Sequence, residues 1–457
     1  MLTRTPTDRR AAWPLASILL LPACATYNER VAAPLDAFER GDFVSAEALF
    51  DAELSEGSPF LSGVEAGTSA FVAGDFEGAL ERLHAAEDAV RDVEERALIG
   101  GEGLSEDLLS LVVNEGQRAY AGEGYERVML HALLGLCYLA RGSADGVLVE
   151  ARRVDRLLTA EEELYETEYA AGGLGHLLSA IAYELKDKPG EAFIDYRRMA
   201  EKGLGGDLVT SALRRLGERL GRSDELDLPP GGETPPRGWP SVVVVGGLGM
   251  GPAKREIRLD VPIDGGVFAW SVPDFDGGVP AAADLDLVLP GRDLRVRASL
   301  IEDVAAVASR NLEDRIAWLA VRSAVRGLIK RQAAEELRRD DDTAWLAVAM
   351  DVFTVASERA DLRAWRTLPQ RWVAARAFLP PGEPVALELA AGRALPVALG
   401  TFRLQPGETM FVLARALDSG LTAHVIGGER LLPPAPTTPE DFDPSRTVPD
   451  PPASNQP

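Results

Sequence analysis

Residues 122–153 read GEGYERVMLHALLGLCYLARGSADGVLVEARR, and this stretch decides the fold. Leu133, Leu136, Cys137 and Ala140 recur at the spacing of one helical face, Gly142 breaks the helix, and Val147, Leu148 and Ala151 open a second apolar face. The pattern is a helix, a tight turn and a helix. Upstream, Phe38-Glu-Arg-Gly41-Asp-Phe-Val-Ser-Ala46 and Phe71-Val-Ala-Gly74-Asp-Phe-Glu-Gly-Ala79 repeat it, with turn glycines 33 residues apart (74 − 41 = 33). The next step, 142 − 74 = 68, is close to two further periods. A hairpin of this size cannot bury its apolar face alone, so the period predicts stacked helical hairpins, a tetratricopeptide-like α-solenoid.

Working outward, the first hairpin spans roughly Ala33 to Glu56 and the second roughly Phe60 to Val93, with a degenerate unit between Leu98 and Gly124. A further unit, Leu174 to Gly203, turns at Asp187; its step of 45 (187 − 142 = 45) places an insertion in Thr159 to Gly173. The helical region is thus 24–222. Stacked hairpins form a curved array whose concave surface suits a peptide or a partner helix. Glu150, Arg152, Arg153 and Asp155, on the second helix of the central unit, are candidates for that surface; the alternative is a solvated charged face.

The segment 223–240, SDELDLPPGGETPPRGWP, has the composition of a linker. After it the pattern turns to strands: Val242 to Val245, Glu256 to Val261, Asp284 to Leu289 and Arg292 to Leu300. Ile301 to Arg338 and Thr343 to Arg359 read as amphipathic helices, and strands return at Trp372 to Phe378, Val385 to Leu389, Ala394 to Arg403, Thr409 to Ala416 and Leu421 to Ile426. These predict an α+β domain over 241–430, a helix pair packed on an antiparallel sheet. Residues 431–457 are proline-rich with few apolar side chains, the composition of a disordered tail.

The chain carries 72 acidic and 48 basic residues, a formal charge of −24, which would repel a phosphate backbone and excludes nucleic acid as the expected partner. Arg4, Arg9 and Arg10 precede the short apolar run Leu15 to Leu20 and the sequence Leu21-Pro-Ala-Cys24. This resembles the lipobox of bacterial lipoproteins, which implies a signal peptide over 1–23 and lipidation of Cys24. Ala25 is not the Asp that commonly retains such proteins in the inner membrane, so the resemblance implies the outer membrane, periplasmic face. With Cys24 modified and Cys137 on a packed helical face, no internal disulfide is expected.

Chemical motifs are sparse. Gly247-Leu-Gly249-Met-Gly251-Pro follows a strand, but Lys254 to Val261 alternates behind it instead of opening a helix, so it reads as a hairpin turn, not a phosphate loop. His131 and His176 occupy first helices of adjoining hairpins without a metal-ligand spacing and read as packed histidines. Asp361-Leu-Arg363-Ala-Trp365-Arg-Thr-Leu-Pro369 joins the helix pair to the last strands. Trp365 there either plugs a gap between layers or, with Arg363, forms an exposed partner-binding hot spot. No catalytic, metal or cofactor motif is found.

The lipobox, the run Gly122 to Arg153, the segment Asp361 to Pro369 and the Gly-Pro-x-Lys element Gly251 to Lys254 together resemble a family of uncharacterised bacterial lipoproteins with tetratricopeptide-like N-terminal halves. The resemblance implies a non-enzymatic cell-envelope scaffold that binds a protein or peptide through the array. The alternative is a cell-wall enzyme, or a direct regulator of a cell-wall synthase, acting through the C-terminal domain.

Overall fold

Four turns set the course of the first half of the chain. At Gly41, Gly74 and Gly142 the backbone is left-handed, with φ of 83°, 89° and 72°. The next amide reaches back to close the preceding helix: Asp42 to the Ala37 carbonyl, Asp75 to Ala70 and Ser143 to Tyr138, each at 2.9 Å. The same three side chains cap the following helix by accepting from the amides of Ser45, Gly78 and Gly146. One residue type thus ends a helix and the next begins another. At the fourth turn Asp187 adopts the left-handed conformation in place of glycine (φ 53°), and the Lys188 amide bonds to Tyr183.

The computed structural model describes residues 27–55, 57–99, 120–228, 234–263, 266–276, 284–315, 361–392 and 395–433. The signal sequence, Cys24, most of the degenerate unit 98–124, the two helices read over 316–359 and the tail beyond 433 lie outside them. Among the described residues the first half forms nine α-helices: α1 (Tyr27–Glu39), α2 (Phe43–Leu54), α3 (Pro59–Ala73), α4 (Phe76–Ile99), α5 (Gly124–Ala140), α6 (Ala144–Tyr165), α7 (Gly173–Leu185), α8 (Pro189–Glu201) and α9 (Gly206–Leu220). Each packs on its neighbours in sequence. Small residues permit the closest approaches: a Cβ on Gly63 would lie 2.6 Å from the Arg82 carbonyl of α4.

Among the described residues twelve strands follow: β1 (Ser241–Leu248), β2 (Ala253–Ile263), β3 (Gly266–Asp276), β4 (Leu285–Leu289), β5 (Leu294–Arg297), β6 (Ser299–Asp303), β7 (Arg371–Phe378), β8 (Val385–Ala391), β9 (Val397–Arg403), β10 (Thr409–Leu417), β11 (Gly420–Ile426) and β12 (Glu429–Leu432). They form two five-stranded sheets, ordered β11-β10-β1-β7-β6 and β12-β9-β8-β4-β5, and a separate β2-β3 ribbon. The pairing is antiparallel except where β1 lies parallel to β10.

The valine run of β1 explains the layering. Val242 and Val244 face the second sheet, among Leu285, Leu287, Val385, Leu387 and Phe402. Val243 and Val245 belong instead to the core shared with the helices, as do Ala374, Phe411 and Leu413. A strand buried on both faces reads as an unbroken apolar run because neither side can be polar. The order is helices, first sheet, second sheet.

Three expectations are corrected. The N-terminal helices cover the first sheet, with Val304, Ala308 and Leu312 of the expected helix pair in the same core and the rest of that pair outside the described residues, and a second sheet lies where a single one was expected. Ile301 to Asp303 belong to β6, and the helix begins only at Val304, running over 304–315 with Asp303 capping the Ala306 amide at 3.1 Å. Gly247 to Pro252 is not a hairpin turn: β1 pairs with β7 and β10, while β2 pairs with β3. Sequence proximity suggested the pairing, and the buried valines overrode it.

Candidate functional site

Residues 361–370 form neither helix nor strand, so their backbone groups need partners from elsewhere. The helices supply carboxylates for the purpose. The Trp365 amide donates to Glu126 Oε1 of α5 at 2.7 Å, and the Arg366 and Thr367 amides donate to the two oxygens of Glu65 of α3 at 2.7 and 2.8 Å. The Thr367 hydroxyl adds a third bond to Glu65 at 2.6 Å. On the carbonyl side, Tyr27 of α1 donates to Ala364 at 2.6 Å, Gly251 to Arg366 at 2.9 Å and Arg415 of β10 to Thr367 at 2.9 Å. The Trp365 ring is fully buried, its Nε1 donating to Thr68 Oγ1 at 3.0 Å. The helical half grips an extended piece of its own chain by the main chain.

Gly251 lies against the opposite side of this segment. A Cβ there would sit 2.5 Å from the Trp365 carbonyl oxygen, so only glycine permits the approach. Three residues on, Lys254 is buried and pairs with Glu123, the N-cap of α5, with the rings of Tyr120 and Phe275 at 5.9 and 5.8 Å from its ammonium. Arg315, from the helix over 304–315, pairs with the same carboxylate. Glu126 completes a capping box by accepting from the Glu123 amide at 2.9 Å, and it also accepts from the hydroxyls of Tyr120 and Tyr125. Gly122 to His131, Gly251 to Lys254 and Asp361 to Pro369, separate in sequence, therefore meet at one buried junction.

The electrostatics follow from burial and pairing. Burial opposes the charge on Glu123, but Arg315 and Lys254 outweigh it and hold its carboxyl at about 2. Burial raises Glu65 to about 7 against the bonds from Thr367 and Arg366, and raises Glu126 as well. Arg415, buried with Glu65 as its attractive charge, is lowered to about 9. Glu65 thus binds its proton more tightly in the folded protein than at its ordinary value of 4.5. Its contribution is fully present below that value and is lost as pH rises through about 7. The unfolding free energy is expected to fall by on the order of 2–3 kcal/mol from this group between about pH 5 and 8. Glu65→Gln should remove that share of the slope in urea titrations; an unchanged slope would place the titration elsewhere.

Further bonds join the halves. Glu302 of β6 accepts the Gly172 and Leu174 amides at 2.8 and 3.1 Å, capping the start of α7, and Glu184 of α7 pairs with Arg376 of β7 at 2.8 Å. His424 of β11 bonds to the Val72 carbonyl at 2.8 Å and sits over Gly74, where a Cβ would lie 2.6 Å from the ring.

Beside the junction a groove of about 890 Å³ opens between α1, the β1–β2 loop, the helix over 304–315 and the β10–β11 turn. Arg40 and Arg371 there are paired with Asp36 and Asp303. The Arg366 side chain reaches the Gly251 carbonyl through Nε at 3.4 Å, while Glu39, Asp418, Met250 and Pro252 complete a wall of mixed polarity. Such a groove has the acceptors, donors and apolar patches that an extended polypeptide can use.

The predicted partner-binding residues do not share one surface. Glu150 is buried, bonding to His131 at 2.7 Å and Arg153 at 3.3 Å, and Arg153 reaches Glu87 of α4 at 2.8 Å; these hold α4, α5 and α6 together. Arg152 and Asp155 are exposed on α6, Asp155 facing Arg198 at 3.8 Å. Arg363 pairs with Asp361 and lies 4.9 Å over the Tyr120 ring, and Trp365 has no surface to offer an outside partner. His131 and His176 do not meet: each bonds to an acid 19 positions later, Glu150 and Asp195, an internal repeat that residue types alone concealed. Compared with protein-family models and with curated proteins, the chain matches none. No helix among the described residues is long and apolar enough to cross a membrane.

Sequence reading missed Glu65, Glu302 and Arg415. A signal existed: Glu65 is the one charged residue of α3, PFLSGVEAGTSAFVA, and Arg415 the one charge in β10, TMFVLARAL. A lone charge in a buried element has a partner elsewhere.

Proposed function

We propose that this protein is a lipid-anchored scaffold of the bacterial cell envelope, moored by Cys24 on the periplasmic face of the outer membrane and without catalysis of its own. Its helical half is read as a tetratricopeptide-like solenoid whose inner face is given over to the C-terminal half. The partner, an envelope protein or peptide, is then met in the groove at the junction. The observation that carries this reading is the grip on 361–370, in which helix carboxylates bond to main-chain amides of an extended segment. Of the carboxylates of raised pKa, Glu65, Glu126 and Glu302 are buried and bonded to main-chain amides, and Glu47 pairs with Arg82 at 2.6 Å on the helical half, so they do not converge in a cleft of the C-terminal half as the cell-wall enzyme would need.

Two measurements test it. Cys24→Ser should move the protein from the membrane to the soluble fraction; continued fractionation with membranes would remove the anchor. A photo-crosslinking residue at Ser419, on the exposed rim of the groove, should give a discrete adduct in intact cells, while one at Arg152 on the outer face of α6 should not. An adduct from Arg152 alone would move the partner to the outer helical face.

A further inference from the structure

A second recess, of about 200 Å³, lies on another side of the molecule, between the start of α9, the β5–β6 bend and β7. Arg214, Arg215, Arg297 and Arg376 line it, Arg297 paired with Asp284 and Asp286, and Asp207 is the only acid in its wall among the described residues. On a chain of formal charge −24 that local sign stands out.

Two of the four are fixed in place. Arg215 and Arg376 both lie over the Phe378 ring, at 5.3 and 4.9 Å, and both pair with Glu184 beneath, at 2.7 and 2.8 Å. Tyr196 also donates to Glu184 at 2.9 Å. Burial works against the Glu184 charge, but Arg376 and Arg215 outweigh it and hold its carboxyl below the usual range. The two guanidiniums share this one carboxylate, and Asp207, in the first turn of α9, is the other acid at the recess among the described residues. Arg215 spends one terminal nitrogen on Glu184, and among the described residues no protein oxygen meets its other two. Leu208, in the first turn of α9, lines the same recess, so the positive end of that helix adds to the field.

We propose that this recess is an oxyanion site for a phosphate monoester group, with Arg215 and Arg376 as its fork. A phosphate monoester offers three acceptor oxygens and close to two negative charges, enough to meet guanidinium nitrogens that Glu184 leaves unused. The group comes either from a small soluble phosphate compound or from a lipid headgroup.

Calorimetric titration of the full-length protein in detergent, at fixed ionic strength, tests this. Inorganic phosphate should bind saturably at one site. Arg215→Gln should weaken it by about tenfold or more. Ser211→Asp should do the same from the exposed face of α9, by repulsion and without touching the Glu184 pair, and it carries the test if Arg215→Gln fails to fold. Glycerol 3-phosphate and a water-soluble short-chain phosphatidic acid separate the sources: equal affinity marks a soluble ligand, a clear preference for the lipid marks a headgroup. Absence of saturable phosphate binding, or binding unchanged in a folded Ser211→Asp protein, overturns the proposal.

Discussion

Trp365→Ala is expected to cost the full-length protein about 4 kcal/mol of unfolding free energy, a sizeable part of what holds a domain together. The ring is fully buried where helices meet sheet, so its removal leaves a cavity and strips Thr68 of a bonding partner. The loss should reach both halves, because 361–370 is held by Tyr27, Glu65 and Glu126 on one side and by Gly251 and Arg415 on the other. Guanidinium chloride unfolding followed by circular dichroism would check it. A cost under about 1 kcal/mol would mean that the tryptophan sits in a loose surface loop.

Glu123→Ala should be comparably damaging, by about 3–5 kcal/mol, for an electrostatic reason. It removes the carboxylate shared by Lys254 and Arg315 and leaves a buried ammonium beside the Tyr120 and Phe275 rings, with Glu126 as the remaining nearby carboxylate. The double substitution Glu123→Ala with Lys254→Met separates the stranded charge from the lost carboxylate. Taking away the stranded charge as well should recover a measurable part of the loss, since a buried pair replaced by apolar side chains often costs little. If the double variant is less stable than Glu123→Ala alone, the Lys254 charge has another partner of equal weight.

Helices, their turns and most strands were legible in the sequence because they follow from short-range rules. Gly41, Gly74 and Gly142 mark turns since only a left-handed residue lets the next amide reach back, and the valines of β1 mark a strand covered on both faces. The partners of those elements were not legible. Nothing local in Val242 to Val245 says that β1 pairs with β7 and β10 rather than with β2, and register over such separations is set by the packed layers. The junction was half visible: Gly122 to His131, Gly251 to Lys254 and Asp361 to Pro369 were each singled out, yet their convergence rests on hydrogen bonds between residues as much as 239 positions apart. Trp365 shows the limit best, since packing and partner-binding readings demand the same residue and differ only in what covers it.

The central claim is that the helical half holds residues 365–367 by their backbone amides, and amide hydrogen exchange measures those bonds directly. In the full-length protein the amides of Trp365, Arg366 and Thr367 should exchange as slowly as those of β1 and β10, opening only with global unfolding. Exchange of the three on the timescale of an exposed loop, while β1 stays protected, would contradict it.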